Sequence, residues 1–241
     1  MQAIKKDIIS QLKKEIFALQ GFKPLLHSHV KINLGSINHS FPDAQFPLGV
    51  NHEFICENNE SLTASSGFIA GILSSLLKKG GAVVWISSAQ IIFPPALVGF
   101  DVDPSRFIFI HLRKPKEILW TMEEVLKCEG VTAVIGEIPN IDLTISRRLQ
   151  LASEQSRVTG FLLRTQPRHL TTTASVCRWK IHPVQSEPGG LPGIGFPQWN
   201  VELVKVRNGK PGSWQLEWMN GKFKEVSGKA SLKYAQHKHA V

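Results

Sequence analysis

The spacing of apolar positions divides this chain into short strand-like runs and helical stripes. Ile4, Ile8, Leu12, Ile16 and Leu19 recur near the helical period while Lys5, Lys6, Lys13 and Lys14 fall on other faces, predicting an amphipathic helix over 1–21 that stops at Gly21. Residues 22–50 mix Pro, Gly, Asn and His without a period. They are expected to lie over the main domain as an irregular lead-in, anchored by burial of Phe41 and Phe46. From His52 the pattern becomes regular: His52 to Cys56 reads as a strand, Glu57 to Ser61 as a polar turn, Leu62 to Leu77 as a helix and Ala82 to Ile86 as a strand. Arg106 to Leu112 is the next strand. Pro115 to Glu129 follows as a helix with proline in its first turn and a stripe of Ile118, Leu119, Met122, Val125 and Leu126. Val131 to Ile135 predicts a buried strand closing at Gly136-Glu137, Asp142 caps a helix carrying Ile145, Leu149 and Ala152, and Gly160 to Leu163 is a further strand.

Strands alternating with helical crossovers imply an α/β fold, a mostly parallel sheet flanked by helices. The last third reads differently. Ser175 to Ile181 alternates apolar and polar residues, Glu187 to Pro197 is Pro/Gly-rich, and Trp199, Val201, Leu203 and Trp214, Leu216, Trp218 alternate on either side of an Asn208-Gly209 turn. This predicts a C-terminal antiparallel β-hairpin that extends the sheet of a domain over 51–226. The tail over 227–241 carries Lys229, Lys233, Lys238, His237 and His239 with few apolar residues, the composition of a disordered segment.

The strand, loop, helix and strand between Asn51 and Ser88 have the layout of a phosphate-binding unit. Such a loop needs glycines that let backbone N–H groups approach the phosphates, a lysine, and a hydroxyl for Mg²⁺. The junction here reads Cys56-Glu57-Asn58-Asn59-Glu60-Ser61-Leu62-Thr63, with no glycine, no lysine and two carboxylates where anions would sit. Those carboxylates oppose a triphosphate, so no nucleotide cofactor is expected. Glu137 stands where an ATPase of this layout places its Mg²⁺-coordinating acid. It is read as a remnant acid satisfied by helix N-termini, because the segment after Ile86, Ser87-Ser88-Ala89-Gln90, supplies no carboxylate to activate water.

Composition narrows the picture further. A chain of 241 residues that is 42% hydrophobic can bury a full core, and its formal charge of +9 favours an acidic partner such as nucleic acid or an acidic protein surface. Cys56, Cys128 and Cys177 are isolated, which argues against a zinc knuckle or disulfide framework and fits a reducing cytoplasm. No uninterrupted apolar stretch opens the chain, so no signal peptide is expected. The uncharged run from Gly80 to Phe100 is broken by Ser87, Ser88, Gln90, Pro94 and Pro95, so no membrane span is expected either. His52-Glu53 lacks the second histidine of a zinc-protease pair, since Cys56 stands in its place. His27 with His29, and His237 with His239, read as solvated side chains rather than metal ligands.

Local sequence then carries a resemblance. The stretch from Phe93 to Ile110, with its Val98-Gly99-Phe100-Asp101 run leading into a strand, and Val204-Lys205-Val206-Arg207-Asn208-Gly209-Lys210-Pro211, resemble parts of the RecA core. The runs Phe46 to Phe54, Val84-Trp85-Ile86, Ile118 to Leu126, Ser146 to Glu154 and Trp214-Gln215-Leu216-Glu217-Trp218 resemble the ImuA family, RecA-related accessory proteins of bacterial mutagenesis cassettes, in their compact Bacteroidetes-like form. The resemblance spans about residues 40–220. It implies a non-catalytic RecA-like protein of the SOS response acting in error-prone translesion synthesis and DNA repair. Its implied partners are RecA, the polymerase-related protein ImuB and an error-prone replicative-type polymerase. Two other functions stay open: a SulA-like inhibitor that binds the cell-division polymer FtsZ, and an ATPase with a divergent loop.

The candidate contact residues follow from both readings. Arg164, Arg168, Arg178 and Lys180 cluster after strand ends, and Arg164 to Thr172 occupies the place of a RecA loop that touches single-stranded DNA; a solvated loop is the other reading. Arg147 and Arg148 are either exposed solubilising charges or a partner contact. Lys205, Arg207 and Lys210 resemble positions that reach a neighbouring protomer in RecA filaments, or else serve as surface ion pairs.

Overall fold

The computed structural model describes residues 30–89, 92–186 and 195–226, so the expected helix over 1–21, the tail over 227–241, both histidine pairs and most of the Pro/Gly-rich loop lie outside the described residues. In chain order the strands are β1 (Asn51–Cys56), β2 (Ala82–Ser87), β3 (Phe107–His111), β4 (Val131–Glu137), β5 (Thr159–Thr165), β6 (Cys177–Val184), β7 (Gln198–Val206), β8 (Gly212–Met219) and β9 (Lys222–Glu225). The helices are α1 (Asn59–Leu76), α2 (Pro115–Leu126) and α3 (Leu143–Ser156). All the strands join one sheet in the order β3-β2-β4-β5-β1-β6-β7-β8-β9. Pairing is parallel from β3 through β6 and antiparallel from β6 to β9.

Alternation along the strands feeds two cores. Phe54, Trp85, Ile135, Phe161 and Trp179 turn to the α1 face, whereas Val84, Ile86, Val134 and Leu162 turn to the face covered by α2 and α3. Helix α1 is buried over most of its length against this sheet. The sheet lies beneath, and Phe68 touches Trp179, Trp199 and Phe223 at centroid distances of 5.9, 6.2 and 5.1 Å. Gly71 lets the Phe223 ring this close, since a Cβ there would sit 2.5 Å from Phe223 Cζ. Phe41 and Phe46 are buried as expected, and Phe46 stacks on His52 at 4.4 Å.

Three differences from the sequence reading have physical causes. Helix α1 starts at Asn59, three residues before the expected start at Leu62, because Asn58 and Ser61 cap each other's backbone N–H groups. The C-terminal extension gains a third strand, β9, whose alternation is too short to read. Strand β5 runs two residues past Leu163, to Thr165, which alters the fate of Arg164.

Candidate interaction site at the strand ends

Glu57 and Asn58 alone join β1 to α1, so most of the stretch compared with a phosphate loop is the first turn of a helix. Asn58 is extended at φ −148° and its side chain accepts the Ser61 N–H at 2.8 Å, while Ser61 Oγ accepts the Asn58 N–H at 3.1 Å. Two donors of this junction, the Asn58 and Ser61 N–H groups, are thus taken by the chain's own side chains. Glu60 lies in the first turn, where its charge complements the helix dipole. Glu57 accepts a hydrogen bond from Lys180 Nζ at 2.7 Å, and that bond holds its carboxyl below the usual range.

Glu137 closes β4 with a different partner from the one expected. Among the described residues no helix N-terminus holds it; the Trp85 indole N–H donates to its carboxylate at 2.9 Å. Burial pushes the Glu137 carboxyl up to about 6, with the Trp85 bond pulling the other way. Beside Trp85 opens a cavity of about 720 Å³, walled by Ala64, Gly67, Phe93, Phe100 and Trp199, with Glu60 the one charged residue of its lining among the described residues. Among the described residues its lining contains no lysine or arginine. Its volume suits a ligand, but its walls suit apolar groups rather than phosphates.

The strongest polar arrangement is one that the sequence reading passed over. Glu53, in the middle of β1, is 1% exposed and accepts hydrogen bonds from Arg164 Nη1 at 2.7 Å, Arg178 Nε at 2.9 Å and Thr173 Oγ1 at 2.6 Å. Arg178 also donates to the Thr171 carbonyl at 2.7 Å, and Thr171 Oγ1 donates to the Ile141 carbonyl at 2.8 Å. One carboxylate therefore gathers β1, β5, β6 and the 166–176 connection. A buried carboxylate is tolerated because charged donors surround it.

This hub corrects the place of Arg164. Expected beside DNA, it is 0% exposed and its side chain points under the sheet's α3 face toward Glu53. The physical reason is parity: Arg164 is two residues beyond Leu162 on the same strand, so it turns to the same face. The other candidates form a partly exposed basic band. Arg178 is mostly covered, Lys180 pairs with Glu57, and Arg168 is exposed beside an exposed Leu170. Lys205 donates to the Thr173 carbonyl at 3.1 Å and Arg207 to the Ala174 carbonyl at 3.0 Å, with Glu154 3.6 Å from Arg207. Burial, with Arg178 nearby, lowers the Lys205 ammonium from its ordinary range. Lys205 and Arg207 thus brace the same connection that Glu53 holds. Arg148 lies apart from this band and pairs with Glu123 at 2.5 Å, while Arg147 and Lys210 are exposed.

Comparison with known proteins places these features. No protein-family model matches the chain. Protein ImuA of two Caulobacter vibrioides strains, NA1000 / CB15N and ATCC 19089, is 36% identical to it over 198 residues, covering 76% of this chain and 80% of that protein. Among solved structures, a KaiC-like protein from the archaeon Pyrococcus horikoshii superposes with a TM-score of 0.55 at 12% identity, covering 83% of this chain and 99% of the other. At that identity the likeness concerns the fold, which is RecA-like: a mostly parallel sheet with antiparallel C-terminal strands. No helix among the described residues is long and apolar enough to cross a membrane.

Proposed function

The chain belongs to the ImuA family, and from that premise we propose that it is a non-catalytic accessory protein of SOS-induced error-prone translesion synthesis. It works through its surfaces, on an ImuB-like polymerase-related protein, RecA and an error-prone replicative-type polymerase in the cytoplasm. The basic band beside the 166–176 connection adds contact with single-stranded DNA. The observation that carries the non-catalytic reading is the β1–α1 junction, where Asn58 and Ser61 satisfy each other's backbone donors and Glu57 and Glu60 bring negative charge. A phosphate approaching this helix N-terminus meets two donors already bonded, those of Asn58 and Ser61, and two carboxylates, which opposes binding.

Two measurements test the proposal. Mg-ATP at millimolar concentration should leave Tm unchanged, because a ligand at about 100 times its Kd would stabilise the fold by about 2.7 kcal/mol. Micromolar ATP affinity that is lost on substitution within 57–63 overturns the non-catalytic reading. Deletion of the gene should lower damage-induced mutation frequency without affecting undamaged growth, and purified protein should co-elute with at least one of the three named partners. Cell filamentation on overexpression, together with direct FtsZ binding, would favour the division-inhibitor function instead.

A further inference from the structure

Edge strand β3 shares an open outer side with its opposite number, β9, but differs from it in its exposed apolar side chains and its lack of guarding charges. Its outer side is unpaired: β3 ends the sheet, and among the described residues only β2 pairs with it. The Leu112 N–H donates to the Ser87 carbonyl at 3.0 Å, so by alternation Ile110 and Ile108 turn their backbone groups toward β2, while Phe109 and His111 turn theirs outward. Two large apolar side chains flank this open ladder, with Ile108 53% and Phe109 42% exposed. They lie on opposite faces of the sheet, because Ile108 sits opposite Val84 and Phe109 opposite Trp85. Native edges are normally blunted by a charge, a proline or a bulge within the strand. β9 follows that rule with Lys222 and Lys224, whereas Phe107-Ile108-Phe109-Ile110-His111 carries no such guard apart from its final histidine.

Beyond its carboxyl end the edge is positively charged. Arg113 and Lys116 are exposed, and no hydrogen bond or ion pair engages either among the described residues. Arg106 stands at the other end and reaches the Gly81 carbonyl at 3.4 Å. We propose that β3 is a docking edge for an extended segment of a partner protein, apolar at alternate positions and acidic at its flank, which adds to the sheet as a further strand. Backbone bonds to Phe109 and His111 give affinity, Ile108 and Phe109 take the alternate side chains, and Arg113 with Lys116 selects the acidic flank. A second copy of this chain is the poorer occupant, since pairing β3 with itself brings these cations together. The proposal rests on the contact-based reading above, but its test needs no repair phenotype and can fail while that reading stands.

The test is selection of a displayed library of random 12-residue peptides on the full chain, with counter-selection on Ile108→Glu and on Phe109→Glu. Ile108 is more than half exposed, so Ile108→Glu should keep the wild-type Tm, whereas Phe109 stacks on Phe107 at 5.7 Å and Phe109→Glu is read below its own Tm; Arg113→Glu/Lys116→Glu leaves the strand untouched and serves as a further variant. Enriched peptides should alternate apolar residues, lack proline and carry Asp or Glu. Synthetic copies should bind at least roughly tenfold more weakly to each variant, the change worth about 1.4 kcal/mol at an interface anchor. In hydrogen exchange they should protect residues 109 and 111. Three outcomes overturn the proposal: no enrichment, enrichment that survives all three variants, or a concentration-dependent dimer of the wild type that Ile108→Glu abolishes.

Discussion

Replacing Glu53 by alanine is the most demanding perturbation of the hub. The substitution removes the acceptor for Arg164, Arg178 and Thr173 together, and Arg164, at 0% exposure, cannot turn to water. Its Nη2 has no partner among the described residues, so deleting the carboxylate leaves a guanidinium held there by Nε alone, which donates to the Pro139 carbonyl at 3.3 Å. Breaking a buried ion pair from one side costs about 3–5 kcal/mol, because the remaining charge stays desolvated. For a chain of this length that corresponds to a fall in Tm of roughly 6–20 °C. The contrast is Glu57→Ala, which also removes an ion pair, but one whose side chains are 54% and 27% exposed, for a cost of about 0–1 kcal/mol. Urea unfolding followed by circular dichroism measures both, and hydrogen exchange should show 166–176 loosened only by Glu53→Ala. A second prediction separates the partners: Glu53→Leu combined with Arg164→Met should recover the share of the loss due to the stranded Arg164 charge, but not the share from Arg178 and Thr173, which still lose their acceptor. The reasoning is refuted if Glu53→Ala costs no more than Glu57→Ala.

Two further predictions concern pH and salt. Because burial raises the Glu137 carboxyl to about 6 from its ordinary 4.5, the folded chain binds that proton more tightly; the resulting stability is full below 4.5, and about 2 kcal/mol is lost as pH rises through 6. Glu137→Gln should abolish that loss in urea midpoints measured from pH 4 to 8. It should also leave visible the opposite contribution of His52, which burial lowers to about 4 from 6.5, so that its stability is present above 6.5 and lost as pH falls through 4. If single-stranded DNA meets the basic band, Arg168→Ala should reduce the slope of log affinity against log salt by about 0.7 for one lost phosphate contact. An unchanged slope removes Arg168 from the interface.

The α/β architecture was legible because its signals are local. Proline opens α2, Asp142 caps α3 by accepting the Ile145 N–H, and the parallel strands β1 to β5 are marked by short apolar runs. The absence of phosphate-loop glycines and lysine at the junction is likewise read from one contiguous stretch of sequence. Glu53 was not. Its partners lie 111, 120 and 125 residues away, and nothing near His52-Glu53 marks the carboxylate as an acceptor for them. Arg164 was misplaced by a boundary: ending β5 at Leu163 puts the arginine in a loop, whereas two more residues of strand turn it inward. Parity with Leu162 is the signal that could have found it. Likewise, Trp85 and Glu137 share a face only once β2 and β4 are known to be neighbours in register.

The hub and the closed junction have a joint consequence. In switch proteins that bind nucleotides, strand-end loops draw their order from the phosphate and lose it when the phosphate leaves. Here the 166–176 connection draws its order from Glu53 through Thr173 and Arg178, and from Lys205 and Arg207 through the carbonyls of Thr173 and Ala174. None of these ties requires a ligand. A partner meeting this surface therefore meets one whose ordering cost was met when the chain folded, and a preorganised surface binds more tightly for the same contacts. On the proposed contact-based function, this gives a physical reason for keeping the strand-end scaffold where the sequence lacks the glycines and lysine of a phosphate loop.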